Sequence, residues 1–261
     1  MHPTLFHIGN FTVHTYGFFI AIGFMLAISM AVREAKRVGE DGEKIIDLAL
    51  YILIAAIVGS RLLYIAINWG DFRAQPLEML RIWNGGLVFY GGLIGASFVT
   101  VWYLRKHQLH VWKTADILAP SIALGQSIGR IGCFFAGCCY GKVCDHWWCV
   151  TFTHPESLAP KGIPLHPTQL YSSVNAFLIY LVIIGLRRRK KFEGELFWVY
   201  ILLYAITRSV IEFFRGDHRG TLFGSLLSTS QVIGIVMAVG AGCMLVYLNR
   251  LSHRKGEKGA K

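Results

Sequence analysis

Three arginines, Arg61, Arg130 and Arg208, stand inside long apolar stretches of the sequence. An arginine at the centre of a membrane helix costs roughly 2.5–3.5 kcal/mol even on the lenient insertion scale, so each needs a reason to be there. The guanidinium is planar, permanently charged and able to hold phosphate oxygens in bidentate fashion. Arginines at headgroup depth therefore suggest a phosphodiester ligand, the simplest being a phospholipid headgroup. The plainer reading is that each one snorkels to the interface or pairs with an acid. Glu212 lies four residues after Arg208 on the same helical face and could neutralise it, while Arg215, three residues further on, competes for the same carboxylate. Tyr16, Tyr90 and Tyr204 are polar residues in similar apolar surroundings, and Tyr204 is one helical turn before Arg208. Five of the six cysteines, Cys133, Cys138, Cys139, Cys144 and Cys149, crowd into one short segment that begins just after Arg130, with Cys243 elsewhere.

The elements that must position these residues are membrane helices. The chain has 261 residues, 54% hydrophobic and 16% charged, with mean hydropathy +0.48, too apolar for an ordinary soluble domain. Its net charge of +11 lies in short clusters between apolar runs, which is the arrangement of membrane loops and argues against nucleic acid as a partner. The expected fold is an all-α integral membrane protein of about seven transmembrane helices. They run approximately Phe11–Val32, Ile45–Ile67, Gly86–Leu104, Thr114–Phe135, Pro167–Leu186, Glu195–Ile211 and Ser228–Leu248. The third and sixth are short and interrupted by glycine or charge.

With the N-terminus outside, 17 of the 26 lysines and arginines fall in inner loops and six in outer ones: Arg73, Arg81, Lys142, Lys161, Arg215 and Arg219. The positive-inside rule therefore predicts an outside N-terminus and a cytoplasmic C-terminus. On that orientation Arg61, Arg130, Arg208 and the three tyrosines all fall toward the outer half of the bilayer. The outer connections are Asn68–Gly85, where Arg73–Trp83 could form a short interfacial helix, and a small extracytoplasmic cap over about residues 136–166. Met1–Asn10 lacks the basic start of a cleavable signal peptide, so the first helix is expected to stay. One catalytic domain over residues 1–249 and a basic cytoplasmic tail over 250–261 complete the expected organisation.

The stretch Gly129-Arg130-Ile131-Gly132-Cys133-Phe134-Phe135-Ala136-Gly137, followed by Gly141, resembles the signature of the prolipoprotein diacylglyceryl transferase family. Four further segments agree with that family. They are Tyr16-Gly17, the run from Gly85 to Gly95 that includes Tyr90, His166-Pro167-Thr168-Gln169-Leu170-Tyr171, and Tyr204 through Arg208 to Glu212-Phe213-Phe214-Arg215. The resemblance implies an enzyme of the bacterial inner membrane that moves the diacylglyceryl group of phosphatidylglycerol to the lipobox cysteine of a preprolipoprotein, releasing glycerol phosphate. It implies no cofactor and no metal, and a monomer is the default. Carried over residue by residue, Arg130 would bind the lipid phosphate with Tyr16, Gly129, Gly132 and Gly141, a set to which Arg61 is added for its place in an apolar helix alone. Arg208, Tyr90, Tyr204 and Glu212 would form the catalytic set.

Three positions depart from the family pattern. Many members have histidine where this chain has Tyr90, a phenol with ordinary pKa near 10 and a poor base at neutral pH. A free thiol is already about 3% ionised at pH 7, and neighbouring arginines could raise that fraction, leaving Tyr90 to orient lipid or thiol. Cys133 and Cys138 stand where asparagine and glutamate are common. In an oxidising compartment Cys138, Cys139, Cys144 and Cys149 are disulfide candidates with three possible pairings. A metal site drawing on Cys139, Cys144, His146 or Cys149 is disfavoured because no CxxC pair is present. His166 is expected to fix the loop before the fifth helix, and Trp147 and Trp148 to anchor the cap at the interface. Two other classes of function compete: a membrane transporter for an anionic small molecule, against which stands the absence of an internal repeat, and a cysteine-based membrane thiol oxidoreductase, which would want a CxxC pair.

Overall fold

The computed structural model describes the chain apart from residues 1, 9, 10, 75, 82–84, 217–220, 223–226, 260 and 261. Among the described residues it is helical with three short hairpins. Strands β1 (Thr4–Ile8) and β2 (Phe11–His14) pair antiparallel and lead into α1 (Thr15–Arg37) and α2 (Gly42–Ile67). A one-turn helix α3 (Trp69–Ala74) and a 3-10 turn (Pro76–Leu80) precede α4 (Phe89–Lys106) and α5 (Val111–Ala136). Strands β3 (Val150–Thr151) and β4 (Pro164–Leu165) lie in the cap, before α6 (Thr168–Leu186) and α7 (Glu195–Glu212). Strands β5 (Thr221–Leu222) and β6 (Leu227–Ser228) lead to α8 (Thr229–Gly259).

Five of these helices, α1, α2, α5, α6 and α8, are long and apolar enough to cross a bilayer. The chain is an all-α, multi-pass membrane protein. A helix forms at each of the seven expected spans, but α4 and α7 have only 18 residues each. The expected first span began too early. Phe11–His14 is a strand, because Thr12 and Val13 favour an extended backbone and Pro3 accepts the amide hydrogen of Thr15 through its carbonyl (2.8 Å), fixing the chain where α1 begins. The interfacial segment is broken into α3 and the 3-10 turn, and its Trp83, like the loop residue Arg219, lies outside the described residues.

The chain divides into two compact units: residues Val32–Thr114, and Met1–Ala31 with Ala115–Lys261. In the first, Asp41 caps α2 by accepting from the Glu43 amide (2.9 Å), and α2 packs antiparallel on α4 along a seam of small residues. A Cβ on Gly59 or on Gly91 would collide with the other's carbonyl oxygen, and one on Gly92 or Gly95 would strike Ser60, Ala56 or Ala55. The glycines of this run thus allow the backbones to meet, as small residues do in membrane bundles.

In the second unit α5, α6 and α7 share a core of Ala119, Ala123, Ile179, Ile183, Leu196 and Tyr200. Polar side chains tie the helices where water cannot. Ser173 donates to the Ser127 carbonyl (2.7 Å), Asn175 to the Thr207 hydroxyl (2.8 Å) and Tyr200 to Gln126 Oε1 (2.9 Å). Buried Asp116 on α5 accepts from the amides of Gly194 (2.8 Å) and Phe197 (3.0 Å) and from Lys190 Nζ (3.1 Å), satisfying the free amides at the start of α7. The cap has its own small core of Phe152, Ala159 and Leu165. Beside it a Cys144–Cys149 disulfide closes a loop carrying the exposed Trp147 and Trp148.

Candidate active site

The site is assembled in the second unit, at the end of α5. Arg130 sits in the penultimate turn of that helix, and its Nη1 lies 3.8 Å from Cys139 Sγ. Tyr204, Cys133, Cys139 and Arg215 are all within its electrostatic reach, and Tyr16 in turn feels Arg130, Cys133, Cys138 and Cys139. Tyr16, Arg130 and Tyr204, singled out separately in the sequence, are therefore neighbours. Tyr16 reaches the group because α1 runs closely antiparallel to α5. A Cβ on Gly132 would stand 3.0 Å from Phe19 Cβ and 3.2 Å from the Tyr16 carbonyl, and one on Gly129 would stand 3.3 Å from Ile20. Gly129 and Gly132, expected among the lipid-binding residues, face α1 at this helix crossing. Tyr204 is stacked on Tyr200 at 6.0 Å between ring centres.

Three sequence-distant segments are stitched together next to Arg130 by backbone hydrogen bonds. The Gly141 amide donates to the His166 carbonyl (2.9 Å), the His166 amide to the Lys142 carbonyl (2.9 Å) and the Lys142 amide to the Phe214 carbonyl (2.8 Å). Gly141 and Arg215 pair as an isolated antiparallel bridge. A Cβ on Gly141 would lie 2.5 Å from both His166 Cβ and the His166 carbonyl, so only glycine fits where the three segments meet. Gly141, expected among the lipid-binding residues, is thus where these segments pack together. His166 has the loop-fixing role expected of it, with its Nδ1 3.1 Å from the Tyr171 hydroxyl. Burial, and then His146 nearby, push its imidazole pKa below 6.5.

This stitching brings in a residue that reasoning from the sequence had assigned to a loop. Arg215 is 6% exposed, lies 4.0 Å from Glu212 Oε2 through its Nε, and faces Arg130 and Cys139. The signal was its place three residues after Glu212 in the Glu-Phe-Phe-Arg segment. Arg208 forms the ion pair expected with Glu212 (2.5 Å), and Glu212 Oε1 also accepts from the Ser228 hydroxyl (3.3 Å). Around Arg130 and the end of α7 there are thus three guanidiniums and one carboxylate.

Of the four disulfide candidates, Cys144 and Cys149 pair, while Cys138 and Cys139 form no disulfide, for a clear cause. Gly137 (φ 75°) and Cys139 (φ 62°) both adopt left-handed backbone, turning the adjacent pair back toward Cys133 on the last turn of α5. Two α6 side chains hold them there: Thr168 Oγ1 donates to the Cys139 carbonyl (2.7 Å) and Gln169 Nε2 to the Cys138 carbonyl (2.8 Å). The three Sγ atoms all lie within 4.8 Å of one another. Hydrogen bonds with Cys133 and then Cys138, helped by Arg215, hold the Cys139 thiol far below the ordinary thiol range, while those with Cys133 and Cys139, plus burial, drive Cys138 far above it. A cavity of about 360 Å3, lined by Pro3, His14, Tyr16, Ala136, Cys138, Glu156 and Leu158, reaches the cluster.

Arg61 and Tyr90 belong to the other unit. Arg61, expected to bind lipid, makes its hydrogen bonds to main-chain carbonyls. Nε donates to the Met79 carbonyl (3.0 Å), Nη1 to those of Gly85 (2.8 Å) and Gly86 (3.2 Å), and Nη2 to those of Glu78 (2.5 Å) and Arg81 (3.2 Å). All five N–H donors are engaged, and the ring faces of Tyr64 and Phe72 flank the cation at 5.6 and 5.3 Å. Tyr90 stands in the first turn of α4, 57% exposed, with its ring edge-on to Phe89.

Comparison with known proteins bears on this geometry. Residues 3–247 match the family model described as prolipoprotein diacylglyceryl transferase. The chain is 38% identical over 235 residues to the phosphatidylglycerol–prolipoprotein diacylglyceryl transferase of Clostridium tetani, covering 90% of this chain and 93% of that one. It is 35% identical over 260 residues to phosphatidylglycerol–prolipoprotein diacylglyceryl transferase 2 of Clostridium perfringens, covering 99% and 100%. To the Bacillus licheniformis protein of the same name it is 35% identical over 251 residues, covering 95% and 92%.

Proposed function

The chain belongs to the prolipoprotein diacylglyceryl transferase family, and from that premise we propose that it transfers the diacylglyceryl group of phosphatidylglycerol to the lipobox cysteine of a preprolipoprotein, at the site around Arg130. The observation that carries this reading is the cluster of fixed cationic charge there, with Arg130, Arg208 and Arg215 gathered around Glu212 and the Cys139 thiol. In the reaction the thiol sulfur attacks the glyceryl carbon bearing the phosphate ester. The carbon–oxygen bond breaks, and glycerol phosphate leaves with the bonding electrons. The charge developing on that phosphate is what preorganised cations in a low-dielectric site stabilise best. Arg130 takes the phosphate and Arg215 offers a second guanidinium. Glu212 holds Arg208 and Arg215 in place, while Tyr16 and Tyr204 supply hydroxyls to the headgroup. A role for Tyr90 rests on its family position.

On the charge-derived orientation, with seven spans and the N-terminus outside, the site faces the outer leaflet of a bacterial inner membrane, where phospholipid and exported peptide meet. The chain acts as a monomer and one catalytic domain.

The test is an assay of purified protein in detergent with phosphatidylglycerol and a lipobox peptide, following peptide mass and glycerol phosphate release together. Arg130→Ala is expected to lower kcat/KM by about 100-fold or more, about 2.7 kcal/mol of transition-state stabilisation. Arg130→Lys should recover only part of it, since an ammonium lacks the planar fork. A folded wild-type protein that adds no diacylglyceryl group would sink the assignment.

A further inference from the structure

Building on that reading of the reaction, we infer that Cys133, Cys138 and Cys139 together bind one borderline-soft divalent cation, Zn2+ by donor set, whose open fourth position takes the thiol of the acceptor peptide. Three Sγ atoms outside any disulfide and within 4.8 Å of one another are close to a ligand set already formed. Tetrahedral zinc with metal–sulfur bonds of about 2.3 Å wants sulfurs about 3.8 Å apart, a contraction of no more than about 1 Å. Three protein ligands and one exchangeable position is the pattern of reactive zinc sites, as opposed to closed structural ones.

The surroundings are those of a built site. The two α6 side chains, Thr168 and Gln169, fix the carbonyls of the adjacent cysteines, as outer partners commonly orient metal ligands. The left-handed backbone of Cys139 is a strained arrangement that the surrounding hydrogen bonds maintain. Three thiolates and a divalent cation leave one excess negative charge, which Arg130, 3.8 Å from Cys139 Sγ, and Arg215 offset. The cavity reaches the cluster at Cys138 and gives an incoming thiol a route to it. Spacing alone hides this set, because it lacks a CxxC pair and exists only once the chain reverses at Gly137.

The chemistry answers a need of the proposed reaction. At neutral pH a peptide thiol is mostly protonated, whereas a metal-bound thiol is deprotonated outright. On binding, the acceptor thiol gives its proton to solvent. Its sulfur lone pair then forms the sulfur–carbon bond as the carbon–oxygen bond to phosphate breaks, and glycerol phosphate departs toward Arg130. The thioether produced is a weaker ligand and leaves the cluster free. No oxidant or reductant is required.

The experiment uses the full chain, purified reduced in detergent, with Zn2+ measured by elemental analysis and Co2+ as spectroscopic probe. Expected are one metal per chain, sulfur-to-cobalt charge transfer with tetrahedral d–d bands, and a change in those bands on adding a lipobox peptide but not its Cys→Ser counterpart. Cys133→Ser and Cys139→Ser should lose the metal while eluting as monodisperse protein, and Cys243→Ser should keep it. Diacylglyceryl transfer should fall on chelation and return with Zn2+. Transfer by a chain that binds no metal, or a disulfide among the three cysteines in active protein, would overturn the inference and leave the proposed function standing. Metal binding with no response to the peptide thiol would overturn the acceptor role. A metal site that responds to the peptide in a chain without transferase activity would instead refute the proposed function.

Discussion

At the scale of single residues, arginines that look alike in the sequence do different work. Arg61 and Arg130 both sit in apolar helices, yet one has all five donors on main-chain carbonyls and the other lies against the Cys139 thiol with Tyr204 and Arg215 in its reach. The difference lies in what folds back onto each helix, which no local pattern encodes. Arg61→Ala should therefore lower stability, by about 3 kcal/mol or more because several carbonyls lose a charged donor at once, and thermal unfolding in detergent would show it. Activity per folded molecule should change far less than in Arg130→Ala. His166 gives a pH dependence with a definite sign. Its folded pKa lies below 6.5, so in that region the unfolded chain binds more protons than the folded one. The stability it contributes is complete above 6.5 and declines as pH falls below that value. A protonated ring also cannot accept the Tyr171 hydroxyl at Nδ1. Melting temperatures measured between about pH 7.5 and 5.5 should fall toward the acid end, and His166→Gln should flatten that slope.

At the scale of elements, apolar runs and glycine patterns were legible because their causes are local. Seven helices form near the expected positions, and the run around Gly91 does what a stripe of small residues in a membrane helix suggests. Gly91→Ala should force α2 and α4 apart at the cost of about 1–3 kcal/mol, seen as a lower unfolding temperature, while Gly17→Ala, with nothing within 4 Å of the added Cβ, should change little. Less legible were the places where segments distant in sequence meet. That Gly141 would be enclosed by His166 and Phe214, or that Arg215 would be buried beside Arg130, follows from backbone hydrogen bonds among three separate stretches. The sequence showed those stretches as motifs but gave no sign that they are stitched together. Which cysteines would pair stayed open for a related reason, since a left-handed residue at 139 is not foreseeable from a side chain that rarely adopts it.

At the scale of the whole molecule, lysines and arginines carry information that side-chain packing does not. The excess of basic residues in alternate loops predicts that a fluorescent protein fused after Lys261 will fold in the cytoplasm and that alkaline phosphatase fused there will be inactive. The reverse pattern would invert the orientation and turn the Arg130 site away from exported peptides. Arg61 has one further consequence at this scale. It grips oxygens that every residue carries, so what it reads at Glu78, Met79 and Arg81 is the position of the backbone and not the identity of the side chains. A clasp of that kind is indifferent to spelling. Those three positions, with exposed neighbours such as Leu77 and Leu80, are thereby released to change their side chains over evolutionary time, whereas Gly85 and Gly86 are held to glycine by their left-handed backbone and, at Gly86, by Arg61 Nη1 standing 2.7 Å from where a Cβ would be.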